Sequence, residues 1–421
     1  MAVNETAIVA QLGARMHYAV PRIFAEAGRL ERFFTDICAV KGWPKLLRLI
    51  PSGLRSTGVR RLLERVPFGV PPNRIAAFNG FGREYARRRM LAATPTEQTA
   101  AHLWAGREFA RRVIREGLGR ATLVYCFNSA GLEILHKAKE EGQRAVTEQT
   151  IAPKTIERDL MEQERERFPG WEPFAGPDGL ADEFAQREQA EWQSADLIVC
   201  GSEFVRDGIA HCGGPLEKCV VVPYGVEAPE ARRSKSGLRA RRAKDGNPSP
   251  RPLRVLTVGA VGLRKGTPYV LEAAQQLQGR AQFRMVGSLG VTREAESRLR
   301  EHVELAGSVP RSEVAAHFEW ADVFLLPSLC EGSATATYEA LAWGLPVVCT
   351  PNTGSVVRDG LDGFLVPARD VDGIVDRLIR LGGQPDLLQS MSRQALERST
   401  DYTPGAYGGR LLAALTPEPC C

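Results

Sequence analysis

Short apolar runs with the character of buried β-strands alternate with stretches of helical periodicity along this chain. In the first half the predicted strands are 7–12, 74–78, 122–127, 144–147 and 197–200. Helical stretches such as 131–141 and the acidic 156–168 lie between them. This alternation builds parallel sheets with helices on both faces. The pattern therefore predicts an α/β fold.

The alternation is interrupted once and then begins again. Residues 231–252 are rich in Arg, Lys, Ser, Gly and Pro and show no periodicity, so we interpret them as a solvated linker rather than a binding element. The second half has predicted strands at 254–258, 282–286, 323–327, 345–349 and 363–366, and a helix after the first strand with Thr267 as N-cap. A length of 421 residues suits two such domains.

We therefore predict an N-terminal domain over 1–228, a basic linker over 229–252 and a C-terminal domain over 253–400. Residues 401–421 should form a closing helix and a tail that pack back on the N-terminal domain. Two α/β domains joined in this way are expected to face each other across a cleft, with a small-molecule site at the carboxyl ends of their strands.

Cysteine content and hydropathy indicate in which cellular compartment the protein is expected. Its nine cysteines include no Cys-x-x-Cys pair, which argues against a disulfide framework or a zinc site. No basic region precedes the apolar run 7–10, so we expect no signal peptide, and no uncharged stretch is long enough to span a membrane. The expected location is cytoplasmic, and the role of Cys420 and Cys421 at the end stays open.

Basic residues are concentrated in two segments. Between Lys41 and Met90 there are twelve Lys/Arg against Glu64 and Glu84, interleaved with apolar residues. The second segment is the predicted linker. We interpret 41–90 either as a peripheral contact with the inner, anionic face of a membrane, where a lipid-linked substrate would lie, or as a solvated face or a site for an acidic soluble substrate. Pro51 and Gly53 favour two short helices there over one continuous helix.

The segment 321–367 contains the chemically most informative residues. A predicted strand ends at Pro327 and Ser328, and Glu331 precedes a helix that contains Glu339 and ends at Gly344. Because small residues open this helix, its first N–H groups can bind a phosphate. Two carboxylates on either side of such an anion site could hold the two ends of a sugar nucleotide, although most Glu pairs at this spacing belong to a solvated helix face.

This segment closely resembles the signature of the retaining glycosyltransferases of family 4, which have the GT-B fold of two Rossmann-like domains. The resemblance rests on a Glu-x7-Glu motif that opens with Glu331-Gly332, on Glu339-Ala340 followed by Gly344 and Pro346-Val347, and on Gly363 to Pro367. It extends over about 190–400. It implies that Glu331 faces the donor sugar, that Glu339 binds the nucleotide ribose, and that donor contacts come also from Gly332, Ser333, Ala334, Thr335, Gly259 and Val309.

The turn 259–266 offers Arg264 and Lys265 before a helix. Positive charge there would stabilise a departing diphosphate, so we predict that both take part in catalysis together with Glu331. The family usually has Arg directly after the first Gly, where this chain has Ala260, so Arg264 would supply the second charge. A surface loop with two solvated cations is the alternative.

The predicted N-terminal domain offers weaker candidates. Family members often have a His after the strand that corresponds to 122–127, where this chain has Asn128, which we interpret as a sugar contact or a helix N-cap. Gly13 and His17 lie in the first loop, and we interpret His17 as a packing or polar contact, with a base as the alternative. Glu148 ends a strand and is the acid of this domain expected to reach the cleft.

Other motifs are missing or uninformative. Neither a phosphate-loop nor a dinucleotide-binding glycine motif occurs, and Asp370 and Asp372 are better explained as helix caps than as metal ligands. We expect no metal, no cofactor and no nucleic acid as a partner. The resemblance implies a metal-independent, retaining glycosyltransferase of glycan biosynthesis that uses a nucleotide-diphospho-sugar and an unknown acceptor. The alternative is a catalytically inactive sugar-nucleotide-binding protein of the same fold.

Overall fold

The structure is a computed structural model, and it describes residues 5–174, 176–229 and 251–416. The chain forms two compact units. Of the described residues, unit 1 comprises 5–155, 176–200 and 206–221, and unit 2 comprises 156–174, 201–205, 222–229 and 251–416. Of the predicted linker 229–252, residues 230–250 lie outside the described residues, as do Cys420 and Cys421. The segments 156–174 and 201–205 lie inside the predicted span 1–228 but belong to unit 2.

Unit 1 is built on a parallel sheet of seven strands in the order β3-β2-β1-β4-β5-β6-β7. Its strands are β1 Ala7–Gln11, β2 Leu30–Thr35, β3 Ile75–Ala77, β4 Leu123–Phe127, β5 Arg144–Gln149, β6 Leu197–Cys200 and β7 Cys219–Val221. The helices in this part of the chain are α1 Ala19–Glu26, α2 Thr57–Leu63, α3 Asn79–Leu91, α4 Pro95–Glu116, α5 Leu132–Glu140, α6 Lys154–Arg167, α7 Ala181–Ser194 and α8 Glu203–His211. Helices α6 and α8 each run from one unit into the other.

Unit 2 contains a parallel sheet of six strands in the order β10-β9-β8-β11-β12-β13. The strands are β8 Leu253–Val258, β9 Ala281–Val286, β10 Val303–Gly307, β11 Val323–Leu326, β12 Val347–Cys349 and β13 Gly363–Leu365. The helices are α9 Thr267–Gln276, α10 Arg293–Arg300, α11 Arg311–Trp320, α12 Thr335–Ala342, α13 Val371–Gly383, α14 Pro385–Arg398 and α15 Pro404–Leu415.

The unit 2 sheet is buried on both faces, as expected for parallel strands covered by helices. On β11, Val323 and Leu325 belong to one apolar cluster, whereas Phe324 and Leu326 belong to another. Because side chains along a strand alternate between faces, these clusters are the two sides of one sheet. The first cluster includes Met161 and Trp171, so the segment 156–174 contributes to the core of unit 2.

These elements confirm the predicted α/β fold with two parallel sheets, and each end of every predicted strand lies within two residues of the end of an observed strand. Three observed strands were not predicted: β2, β7 and β10. The helix-cap prediction was wrong by one residue, because Gly266 is the N-cap of α9 and Thr267 is its first residue. The closing helix exists as α15.

Helix α15 is tied to the segment 223–226. The Arg410 guanidinium donates to the backbone oxygens of Pro223 and Tyr224, and Tyr407 packs edge-on against the Tyr224 ring. These residues all belong to unit 2. Packing of the tail on the N-terminal domain therefore stays a prediction. Within the described ranges, no helix combines the length and the apolar character needed to cross a bilayer.

Candidate functional site

In unit 2 the strand order reverses between β8 and β11, which are hydrogen-bonded neighbours. At such a switch point the loops after the two strands diverge, and ligands of open α/β sheets bind in the crevice between them. The loop after β8 is 259–266 and the loop after β11 is 327–334. The predicted Arg264, Lys265 and Glu331 therefore lie at the position where the topology favours a ligand.

The loop 259–266 is fixed from several sides. Thr267 Oγ1 accepts from the Gly262 N–H at 2.9 Å, and the Leu263 N–H donates to Glu172 Oε1 at 2.7 Å. Gly266 is left-handed, with φ of 68°, and a Cβ added there would lie 2.1 Å from the Pro327 carbonyl oxygen. The absence of a side chain at Gly266 therefore lets the two loops approach each other closely.

The loop 327–334 is held in turn by the loop that follows β12. The Glu331 N–H donates to Asn352 O at 3.1 Å, and the Ala334 N–H donates to Thr353 O at 2.9 Å. The Asn352 amide nitrogen donates to Leu329 O at 2.8 Å. The backbone around Glu331 is thus positioned by hydrogen bonds that do not involve its own carboxylate.

The two loops meet in a compact charge cluster. Glu331 Oε1 lies 2.8 Å from Lys265 Nζ and 3.0 Å from Arg264 Nη1. Arg264 Nη1 also donates to Cys330 O at 3.0 Å. Burial lowers the pKa of the Arg264 guanidinium, but the carboxylates of Glu331 and Glu157 outweigh this effect and raise that pKa above its ordinary value. Arg264 is therefore a fixed positive charge in the cluster, and a loop with two solvated cations is not what the structure shows.

Helix α12 begins directly after the cluster. Among the described residues, the backbone N–H groups of Gly332 and Ser333 have no acceptor. The Ser333 hydroxyl is 2.6 Å from the Tyr338 hydroxyl and donates to Gly354 O at 3.2 Å. Ala334 precedes the helix as its N-cap, and Thr335 is its first residue. Open N–H groups at a helix start, next to two cations, are groups that favour an anion.

Glu339 lies on the same helix, within reach of α11. Its Oε1 is 3.4 Å from Arg311 Nη2, and its side chain is 27% exposed. Burial raises the pKa of the Glu339 carboxyl above its ordinary value, and Arg311 opposes that rise only in part. Val309, in the loop between β10 and α11, packs against the apolar cluster of this face. The roles that the resemblance implies for Glu339 and Val309 stay predictions.

In unit 1 the order reverses between β1 and β4, and the loops after these strands carry Gly13, His17 and Asn128. The Gly13 N–H donates to Asp36 Oδ1 at 3.1 Å. His17 is exposed and left-handed, with φ of 49°, between Met16 and Tyr18, which are left-handed too.

Asn128 is buried and belongs to a polar network. Its side chain accepts from the Thr150 hydroxyl at 2.9 Å and donates to Glu188 Oε1 at 3.3 Å. It is not the cap of α5, because Gly131 is the N-cap and the Gly131 N–H donates to Glu191. The N-cap interpretation is therefore wrong. Glu148 is fully buried and accepts from the Tyr125 hydroxyl at 2.6 Å.

Several residues that shape these loops were missed by sequence reasoning. In unit 2 they are Glu172, Asn352 and Thr353, together with Ser202, whose hydroxyl donates to Gly332 O. In unit 1 they are Thr150, Glu188 and Glu191. Glu188 and Glu191 are three residues apart on α7, a spacing that also describes a solvated helix face, so no local signal distinguishes them. Over the described ranges, no group of three His, Cys, Asp or Glu side chains could hold a metal ion.

Comparison with known proteins finds a family match in the part of the chain that contains these two loops of unit 2. Residues 252–383 match the family model described as glycosyl transferases group 1. The chain is 32% identical over 224 residues to the amylovoran biosynthesis glycosyltransferase AmsK of Erwinia amylovora, covering 49% of this chain and 53% of that protein. It is 28% identical over 245 residues to the putative colanic acid biosynthesis glycosyltransferase WcaL of Salmonella typhimurium, covering 54% of this chain and 58% of that protein.

The chain thus spans about half the length of the curated relatives that it matches. Among solved structures, Anabaena HepE in complex with UDP and glucose superposes with a TM-score of 0.62 at 13% identity, covering 98% of this chain and 99% of that one. That likeness shows the fold, which is the two-domain GT-B fold. The segment that matches the model of group 1 glycosyl transferases, 252–383, thus contains both the charge cluster and the open helix start.

Proposed function

We propose that this protein is a retaining glycosyltransferase that moves a sugar from a nucleotide-diphospho-sugar to an acceptor in glycan biosynthesis, without a metal ion. The observation that carries the proposal is the meeting of Lys265, Arg264 and Glu331 beside the open N–H groups of Gly332 and Ser333. This arrangement offers a diphosphate two cations and two backbone donors within one unit.

The chemistry follows from where charge develops. Breaking the bond between the sugar and the diphosphate places negative charge on the departing phosphate oxygens. Preorganised cations and N–H donors lower the barrier most when they point to that charge. Arg264 and Lys265 form ion pairs with the Glu331 carboxylate, and they would also stabilise the negative charge of the diphosphate. Two fixed cations can supply the electrostatic role that a metal ion plays in other sites, and this is the basis for proposing metal independence.

The retaining outcome rests on the resemblance around Glu331 and Glu339. In this proposal the diphosphate accepts the proton of the acceptor hydroxyl while the new bond forms on the face from which it leaves. The protein then contributes position and electrostatics rather than a separate general base. Glu331, held by its backbone contact to Asn352, would orient the donor sugar, and Glu339 would bind the ribose hydroxyls.

The donor and the acceptor class are proposed from the neighbours. HepE was solved with UDP and glucose, and WcaL and AmsK are named for colanic acid and amylovoran biosynthesis. We therefore take a uridine diphosphate sugar as the first donor to test and a growing polysaccharide unit as the acceptor class.

The test starts with ligand binding. UDP, GDP and ADP and their sugars are screened by thermal shift, because a ligand that binds the folded state raises the melting temperature. The donor that stabilises the protein is then incubated with acceptor extracts, with and without EDTA. We expect transfer that EDTA does not abolish, and a product whose anomeric configuration by NMR equals that of the donor. Binding without transfer or hydrolysis would support an inactive binding protein instead.

Variants connect that activity to the cluster. Lys265→Met removes the charge but keeps the length of the side chain, and Arg300→Met is the matched control on the exposed face of α10. We expect Lys265→Met to lower turnover by about 10²–10³-fold, as for loss of one oxyanion donor. Arg300→Met should be unchanged, and equal turnover in both variants would exclude Lys265 from the reaction.

A further inference from the structure

Four of the large apolar side chains that unit 1 exposes fall within twelve residues. Trp43 is 42% exposed, Leu46 64%, Leu49 80% and Leu54 77%. The first three lie in the 3₁₀-helix Trp43–Leu49, and Leu54 ends the 3₁₀-turn Ser52–Leu54. Exposure of single leucines is ordinary in soluble proteins, but a contiguous group marks an interaction surface.

The 3₁₀ geometry arranges these side chains in a line. Such a helix has three residues per turn, so residues three apart lie directly above one another. Trp43, Leu46 and Leu49 are spaced in this way, and they form one apolar stripe. Lys45 and Arg48 have the same spacing and form a basic row beside it. In an α-helix, with its period of 3.6, each step of three residues shifts by about 60°, so these positions would spread over about 120° of the helix surface.

Within the described ranges, the positive charge of this region is not neutralised by ion pairs. No acidic residue occurs between Asp36 and Glu64. Six cations lie in residues 41–61, which we call the basic apolar patch: Lys41, Lys45, Arg48, Arg55, Arg60 and Arg61. None of them has a carboxylate of the described residues within ion-pair distance. By contrast, cations later in the basic segment are paired, since Arg65 binds Asp36 and both Arg87 and Arg88 bind Glu84.

The patch is held in shape by the rest of the unit. The Asn79 amide nitrogen donates to Lys41 O at 2.9 Å, and Pro44 is buried. The Arg55 guanidinium donates to Ile50 O at 2.8 Å and to Arg48 O at 3.0 Å, which ties the first 3₁₀-helix to the turn that follows. The apolar stripe is therefore presented by a fixed backbone.

The geometry points to the basic apolar patch as a docking site for the anionic surface of a lipid bilayer. A bilayer offers phosphate and carboxylate headgroups directly above an apolar layer that lies about 5–10 Å deeper. That layering matches a row of cations beside a row of Trp and Leu side chains, and Trp is favoured at this interface. An acidic protein would satisfy the cations but would need its own apolar groove for the stripe. This inference does not depend on the proposed reaction.

The experiment is co-sedimentation of the full chain with vesicles. Vesicles of phosphatidylcholine with about one third phosphatidylserine are compared with phosphatidylcholine alone, at about 0.1 M and about 0.5 M salt. We expect binding only to the anionic vesicles at low salt. Lys45→Gln with Arg48→Gln should weaken binding by about fivefold per cation. Leu46→Ser with Leu49→Ser should reduce it at least about tenfold, because two exposed apolar side chains are lost.

Matched controls use exposed residues elsewhere. Arg115→Gln with Arg120→Gln removes the same charge from unit 1, and Leu216→Ser with Leu361→Ser removes side chains that are 49% and 51% exposed. Equal losses in control and patch variants, equal binding to neutral vesicles, or no binding at all would overturn the proposal. So would a dimer, seen by light scattering, that the Leu46→Ser and Leu49→Ser variant abolishes, since a second copy would then be the partner.

Discussion

Replacing Gly266 by Ala tests whether the close approach of the two site loops matters for activity. An added Cβ would lie 2.1 Å from the Pro327 carbonyl oxygen, whereas real Cβ contacts stay above 3.0 Å, so the backbones must separate by about 0.9 Å. The residue also keeps a left-handed φ of 68°, which costs roughly 1 kcal/mol for Ala. Lys265 precedes the substituted residue, and Glu331 lies on the loop that is displaced. A misplacement of about 1 Å can lower turnover about 10²-fold.

Gly279 provides the control for the conformational part of this effect. Its φ is 76°, and a Cβ there would meet nothing within 4 Å. Gly279→Ala should therefore lose about 1 kcal/mol of stability and keep full turnover. Melting temperatures and donor hydrolysis or transfer rates are measured for both variants. If Gly266→Ala turned over as fast as Gly279→Ala, the argument that loop contact positions the charge cluster would be refuted.

Three further predictions concern carboxylates. Glu339→Gln should weaken binding of the free nucleotide by about 1.5–3 kcal/mol, measured by calorimetry, because the ribose hydroxyls lose a charged acceptor, and unchanged affinity would contradict that assignment. Glu172→Ala should lower turnover with little change in melting temperature, because the Leu263 N–H loses its acceptor while the core contacts remain. If Glu172 had only a structural role, the variant would lower the melting temperature and leave turnover unchanged. Burial raises the pKa of Glu191 to about 7, so near neutral pH the folded state holds a proton that the unfolded state has lost. The free energy of unfolding should therefore fall by about 2 kcal/mol as the pH rises from about 5.5 to about 7.5. Thermal or urea unfolding of Glu191→Gln should show no such dependence on pH.

The fold could be predicted well where the pattern is local. Buried parallel strands are continuous apolar runs, and such runs at Leu123–Phe127 and Val323–Leu326 were recognised. Strand β2, Leu30–Thr35, was missed because Glu31 and Arg32 interrupt its apolar residues. Strand β7 is only three residues long and half-buried, which leaves little periodicity to detect.

The candidate site was predictable to the extent that its residues are close in sequence. Glu331 and the small residues after it form one local motif, and so do Arg264 and Lys265. The ion pairs between these two groups could be found only from the structure, because the 66 residues that separate Lys265 from Glu331 carry no periodic signal. The same holds for Glu172, which caps a loop 91 residues away. Asn128 was misread because its position before a helix is typical of a cap, while the actual acceptor comes from a helix far along the chain.

The segment 156–174 precedes the basic linker in sequence but belongs to unit 2, and this affects how the protein can be cut into fragments. A fragment that starts at residue 251 would contain the whole six-stranded sheet but would lose Glu164. This carboxylate accepts a hydrogen bond from the Tyr269 hydroxyl and forms an ion pair with Arg369. The fragment would also lose Trp171 from the apolar core and Glu172 from the loop 259–266. We therefore expect such a fragment to aggregate or to bind nucleotide poorly. Unit 2 draws on residues from both sides of the basic linker, so a single cut there would not release it whole.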